Sequence, residues 1–176
     1  MSGFRNWRHS ARRAPGSRWN DVAELKEGDP APDLLLTDDE GQQFRLSDFR
    51  GKKVVLYFYP KADTPGCTKE ACGFRDEIKE IEKTGAVVLG ASADSVAKQA
   101  KFKAKYRLPF RLIADENHEL AEAFGVWKPK TFLGRKFLGV NRETFLIDEN
   151  GRIAKIFRKV KPAEHPREVL EALKQL

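Results

Sequence analysis

Two stretches of the chain, residues 53–59 (Lys-Val-Val-Leu-Tyr-Phe-Tyr) and residues 86–92 (Ala-Val-Val-Leu-Gly-Ala-Ser), are short and almost continuously apolar. Runs of that length suit strands buried on both faces, and the first is expected at the centre of a sheet. Ahead of them, short strands over residues 34–36 and 43–46 flank the turn Asp38-Asp39-Glu40-Gly41, which predicts an N-terminal β-hairpin. Residues 64–83 change period: Thr64 can cap a helix, Pro65 suits its first position, Phe74, Ile78 and Ile81 recur at helical spacing, and Gly85 ends it. The pattern continues with a helix over residues 94–106, a strand over 110–114, a helix near 118–124 and a strand over 143–147. The turn Glu149-Asn150-Gly151 pairs that strand with residues 152–157, and a helix over 166–176 closes the chain. Phe102, Leu108 and Phe110 are expected in the core. Strands alternating with helices, then a hairpin and a last helix, predict an α/β fold: a central mixed sheet flanked by helices.

The 176 residues suit one domain, read here as residues 24–176 behind a flexible basic extension, residues 1–23. At 40% apolar and 34% charged residues the chain can fill a core. No apolar run approaches the roughly 18 residues a membrane helix needs, so no membrane partner is expected. The net charge of +7 invites a nucleic-acid reading, but Arg5, Arg8, Arg12, Arg13 and Arg18 supply five of those charges in the first 20 residues, leaving +2 for the rest. The body is nearly balanced, and no nucleic-acid partner is expected. Residues 128–136 are read as a solvated basic loop anchored by Trp127, with a place at the pocket rim or against a partner as the alternative. His9, His118 and His165 are scattered without metal-ligand spacing and read as surface or capping groups.

Cys67 and Cys72 are the only cysteines, five positions apart. That is too few for a disulfide scaffold or a structural zinc site, and the spacing is too wide for a Cys-x-x-Cys redox pair. A buried core thiol is the common fate of a lone cysteine. Cys67, however, follows Pro60 and the Thr64-Pro65-Gly66 entry, which puts it in the first turn of a helix after a buried strand. There the free N–H groups and the positive helix end favour a thiolate, and α/β sheets bind ligands at such junctions.

The pattern Pro60-x-x-x-Thr64-x-x-Cys67 resembles the signature of the peroxiredoxins, and Cys67-Thr-Lys-Glu-Ala-Cys72 resembles their bacterioferritin comigratory protein (PrxQ) subgroup. The similarity runs over residues 24–176, including the stretches around 92–94, 108–110, 124–127 and 142–148, and these motifs are highly specific. The resemblance implies a thioredoxin-like fold and a cofactor-free thiol peroxidase of antioxidant defence, reducing hydrogen peroxide and organic hydroperoxides to water and alcohols. It makes Cys67 the peroxidatic cysteine, with Pro60, Thr64 and Arg142 around it. It makes Cys72 the resolving cysteine, whose thiol forms a disulfide with the Cys67 sulfenic acid, and it implies re-reduction by thioredoxin or a similar dithiol, usually by a monomer. A cycling disulfide fits a reducing compartment, most simply the cytoplasm, with an organelle matrix as the alternative if the arginine-rich start is a targeting segment.

Without the resemblance, Thr64 is only a helix cap, Arg142 a solvated charge at the start of a strand and Cys72 an inert thiol. Residues five apart in an ideal helix have Cα atoms roughly 8–9 Å apart, beyond the roughly 4.4–6.8 Å of a disulfide. Cys72 is therefore expected to face inward, distant from Cys67, until the first turns of the helix unwind. The rival readings are a non-enzymatic binding protein using its basic tail, and a one-cysteine peroxidase resolved by an external thiol.

Overall fold

A computed structural model describes residues 24–176. The expected extension, with His9 in it, lies outside the described residues. At the centre runs β3 (Lys53–Phe58), whose last five residues are all buried. It pairs in parallel with β4 (Ala86–Ser92) on one side and antiparallel with β8 (Thr144–Ile147) on the other. With β5 (Arg111–Ala114) and β9 (Ile153–Phe157) at the edges, the five-stranded mixed sheet has the order β5-β4-β3-β8-β9.

Because strand side chains alternate between faces, β3 serves two cores. Val55, Tyr57 and Tyr59 join one cluster with Phe74 and Ile81 of α1 (Pro65–Lys83), Phe102 of α2 (Val96–Tyr106) and Leu170 of α4 (His165–Lys174). Val54, Leu56 and Phe58 join the other, beneath α3 (Glu119–Ala123) and the predicted N-terminal hairpin of β1 (Leu35–Thr37) and β2 (Gln43–Arg45). A 3-10 turn, Leu46–Phe49, follows that hairpin. Phe102, Leu108 and Phe110 are buried as expected.

Two readings need correction. The basic segment is no loop: β6 (Trp127–Phe132) and β7 (Arg135–Val140) form an antiparallel hairpin turning at Leu133 and Gly134, both with positive φ. A two-residue turn of that kind matches the twist of the paired strands. Its outer part buries neither face: Phe132 is 67% exposed and Leu133 87%. Backbone pairing alone, without burial, leaves no alternation of apolar and polar residues to read.

His165 is not a surface group either. It is fully buried, its Nε2 lies 2.7 Å from the Thr144 hydroxyl, and its ring packs edge-on against Phe74 and Phe157. His118 stacks on Trp127 with ring centroids 4.1 Å apart.

Gly90 shows how tightly the first core is filled. It sits in register with Tyr57, and a Cβ at this position would lie 2.8 Å from the Tyr57 ring, which is itself stacked on Phe74. Gly90→Ala is therefore expected to destabilise the fold by about 1–3 kcal/mol through overpacking. Thermal unfolding followed by circular dichroism checks this, at roughly 2–4 °C of midpoint per kcal/mol.

Candidate active site

The site forms where β3 gives way to α1. Tyr59 still donates its N–H to Ala91, and half-buried Pro60 then leaves the sheet. Proline has no N–H to continue a ladder. The short loop to Thr64 is held at two points. Ala62 N–H donates to the Asp94 carboxylate at 2.7 Å, and that same oxygen accepts from the Ser92 hydroxyl at 2.6 Å. Asp63, at a positive φ of 59°, is clamped by Lys105 Nζ at 2.8 Å and by the Tyr106 hydroxyl at 2.7 Å. The loop thus hangs from the end of β4 and from α2.

Thr64 occupies the N-cap position of α1 and Pro65 its first turn, as the sequence suggested, but the Thr64 hydroxyl does not cap. It donates to the Lys61 carbonyl at 2.8 Å. The first-turn N–H groups of Gly66 and Cys67 consequently find no acceptor among the described residues. They remain, with the positive end of the helix, for a ligand.

Cys67 is 1% exposed, so only a slender group reaches its sulfur. Arg142, in the connection between β7 and β8, directs Nη2 to Cys67 Sγ at 3.3 Å and Nη1 to Glu70 Oε1 at 3.0 Å. Phe58 N–H, donating to the Glu143 carbonyl at 2.8 Å, ties this connection to the end of β3. Gly66 makes room for the guanidinium, since a Cβ there would stand 3.1 Å from Nη2. Arg142 is thus no solvated charge: its side chain is 18% exposed and engaged at both ends.

Glu70 was not read as a site residue. One helical turn after Cys67 it lies on the same face of α1, fully buried, and that spacing is the signal that points to it. Burial raises its pKa to about 7 in spite of the Arg142 charge and hydrogen bond, which lower it. Its Oε2 is buried with no partner. Burial penalises a carboxylate, and only a close cation makes the charged form tolerable.

Lys130 of β6 is half-buried, and its pKa is lowered by burial first and by Arg142 next, with Cys67 opposing. Lys128, on the same face of β6, pairs with buried Glu143 at 3.4 Å.

Cys72 is a free thiol like Cys67, half-buried where Cys67 is buried, and α1 runs unbroken through both. No three His, Cys, Asp or Glu side chains gather for a metal ion among the described residues.

Comparison with known proteins extends this picture. The AhpC/TSA family pattern matches residues 27–156. The chain is 52% identical to Peroxiredoxin Bcp of Bacillus subtilis over 152 residues, 86% of this chain and 97% of that protein. It is 47% identical to Peroxiredoxin Bcp of Escherichia coli over 151 residues, again 86% and 97%. The solved structure of the Xanthomonas campestris bacterioferritin comigratory protein superposes with a TM-score of 0.77 at 42% identity, covering 81% of this chain and 90% of that one. That of peroxidoxin BcpB from Mycobacterium tuberculosis gives 0.78 at 38% identity, covering 87% and 99%. These are thioredoxin-fold proteins, and the same fold is present here. With a buried thiol under an arginine at the start of α1 and relatives of this closeness, the chain belongs to the AhpC/TSA family and is a thiol peroxidase of its Bcp peroxiredoxin branch.

Proposed function

We propose that Cys67 attacks hydrogen peroxide and organic hydroperoxides, that Cys72 resolves the resulting sulfenic acid as an intramolecular disulfide, and that thioredoxin or a similar dithiol restores both thiols. The observation that carries this reading is Arg142 Nη2 at 3.3 Å from Cys67 Sγ, with the other arm of the guanidinium held by buried Glu70. A fixed positive charge beside the sulfur favours the thiolate and then receives the charge that moves from sulfur to the departing oxygen. The N–H groups of Gly66 and Cys67 orient the peroxide. The Thr64 hydroxyl, its proton given to Lys61, offers lone pairs to the peroxide O–H. Pro60 shields the sulfur from water.

In the first step the thiolate takes the terminal OH of ROOH, the O–O bond breaks, and RO⁻ leaves to be protonated as ROH. In the second the Cys72 thiol displaces water from the sulfenic acid, closing the disulfide. The intact α1 must open for this. Its first turn supports opening: it has no side-chain cap and no acidic residue. A missing cap forgoes roughly 1 kcal/mol of helix stability. The scheme needs no second subunit, so a monomer suffices. Its bacterial relatives favour a reducing cytoplasm over an organelle matrix.

NADPH consumption with thioredoxin, thioredoxin reductase and peroxide should vanish in Cys67→Ser, and peptide mass spectrometry after one equivalent of peroxide should find Cys67 joined to Cys72. Undiminished cycling of Cys72→Ser would instead support resolution by an external thiol.

Arg142→Met should lower the rate of Cys67 oxidation by roughly 10²–10³, measured by stopped-flow fluorescence.

Glu70 has a pKa of about 7 when folded, against roughly 4.3 when unfolded. Between those values the folded state holds a proton that the unfolded state has lost, so this group makes stability fall as pH rises through the window. Urea titrations from pH 4.5 to 7 should show that decline in the wild type, at most about 1.4 kcal/mol per pH unit. A correspondingly flatter profile is expected in Glu70→Gln.

A further inference from the structure

The β6–β7 hairpin ends in side chains that the fold does not use. Phe132, Leu133 and Phe137 are 67%, 87% and 48% exposed, three of the five large apolar side chains left in solvent among the described residues. Leu133 is held at a φ of 50°, a left-handed conformation that glycine or asparagine adopts at lower cost. So exposed a leucine has no packing within the chain to offset that cost.

The charges around this tip are all of one sign. Arg135 and Lys136 are exposed beside the turn, in register with Phe132 and Thr131. Lys130 and Lys128 follow toward the base, and no Asp or Glu occurs from residue 123 to residue 142. The hairpin's one ion pair among the described residues joins Lys128 to Glu143, at the base. Lys130 and Lys136 stand three residues either side of Leu133, so at roughly 3.3 Å per residue they lie about 10 Å behind the tip. An apolar end with cations at that distance suits the boundary of a bilayer, where apolar groups settle about 5–10 Å deep and lysine and arginine stems reach back to the phosphates. A narrow two-residue turn is poorly suited to a second protein, since stable interfaces bury roughly 800 Å² per partner. A bilayer closes around such a tip.

We propose that the β6–β7 hairpin docks this protein on an anionic lipid bilayer. Phe132, Leu133 and Phe137 enter the acyl boundary, and Lys130, Arg135 and Lys136 meet the headgroup phosphates. A contact of this kind needs no spanning segment, so it agrees with the lack of a long apolar run. Because Arg142 follows the end of β7 by two residues, docking brings the Cys67 site to the same surface. The inference does not depend on how Cys67 reacts.

The test is co-sedimentation of the full-length protein with vesicles of phosphatidylglycerol and phosphatidylcholine in equal parts, and with vesicles of phosphatidylcholine alone. Wild type is expected to partition at least about 10-fold more strongly onto the anionic vesicles, by a margin that shrinks with added salt. Phe132→Ser combined with Leu133→Asn, asparagine being suited to the turn, should weaken that partition roughly 10-fold. Arg135→Gln combined with Lys136→Gln should weaken it by roughly the same factor. All four positions are exposed, and unchanged circular dichroism and hydrogen peroxide turnover verify that the variants are folded. The basic residues 1–20 are present in every sample, so binding that they alone cause would leave the variants equal to wild type and overturn the proposal. Equal partition onto neutral vesicles would overturn it too, as would variants that raise the KM for thioredoxin while partitioning like wild type. A wild type that partitions as expected yet turns over no peroxide would support the docking and fail the Cys67 reading, which keeps the two apart.

Discussion

The guanidinium of Arg142 is the hub of this molecule. With one arm on the Cys67 sulfur and the other on the buried Glu70 carboxylate, it makes two costly burials possible at once. Desolvation already raises the pKa of Glu70, and without that cation its carboxylate would be driven further toward the neutral form. In the proposed reaction, negative charge moves from sulfur to oxygen beside a guanidinium that is already in place. Much of the surrounding fold can be understood as the means of holding one planar cation in one place.

That placement draws on elements far apart in the chain. The β3 strand ends at the loop holding Pro60 and Thr64, and its last N–H also fastens the connection that carries Arg142. Asp94 and Lys105 anchor the loop from two further elements. Gly66 contributes by what it lacks, since any Cβ would press on the guanidinium. Close packing fixes such positions to fractions of an ångström, which is the tolerance a charge-transferring site needs.

The helix carrying Cys67 is under opposing demands. Its interior is tied down by Ala71 and Phe74, which are fully buried, and by Gly73, where a Cβ would come within 2.7 Å of Pro166 on α4. Its first turn has no side-chain cap and no acidic residue, and Arg142 contacts it at Cys67. The proposed disulfide would require the uncapped first turn to open while the packed interior of α1 holds.

Much of this was readable in the residues. Continuous apolar runs marked β3 and β4, helical spacing and Pro65 marked α1, and Asn150-Gly151 marked the turn between β8 and β9, because each pattern answers to a local period or a local backbone constraint. The strand-to-helix turn that carries Pro60, Thr64 and Cys67 was legible for the same reason, while the roles expected of these residues came from the family resemblance. The β6–β7 hairpin was not, since its exposed outer part carries no burial pattern, and neither was the burial of His165, which depends on α4 folding back onto Phe74 and Phe157. The place of Glu70 beside Arg142 escaped for a related reason. Charge next to charge is a property of space: only when Arg142 crosses 75 residues of chain to reach Cys67 does a glutamate become a buried counter-ion. Sequence determines the periods and the turns; tertiary structure alone decides which distant charges share one low-dielectric space, because their energies depend on separation and burial rather than on order along the chain.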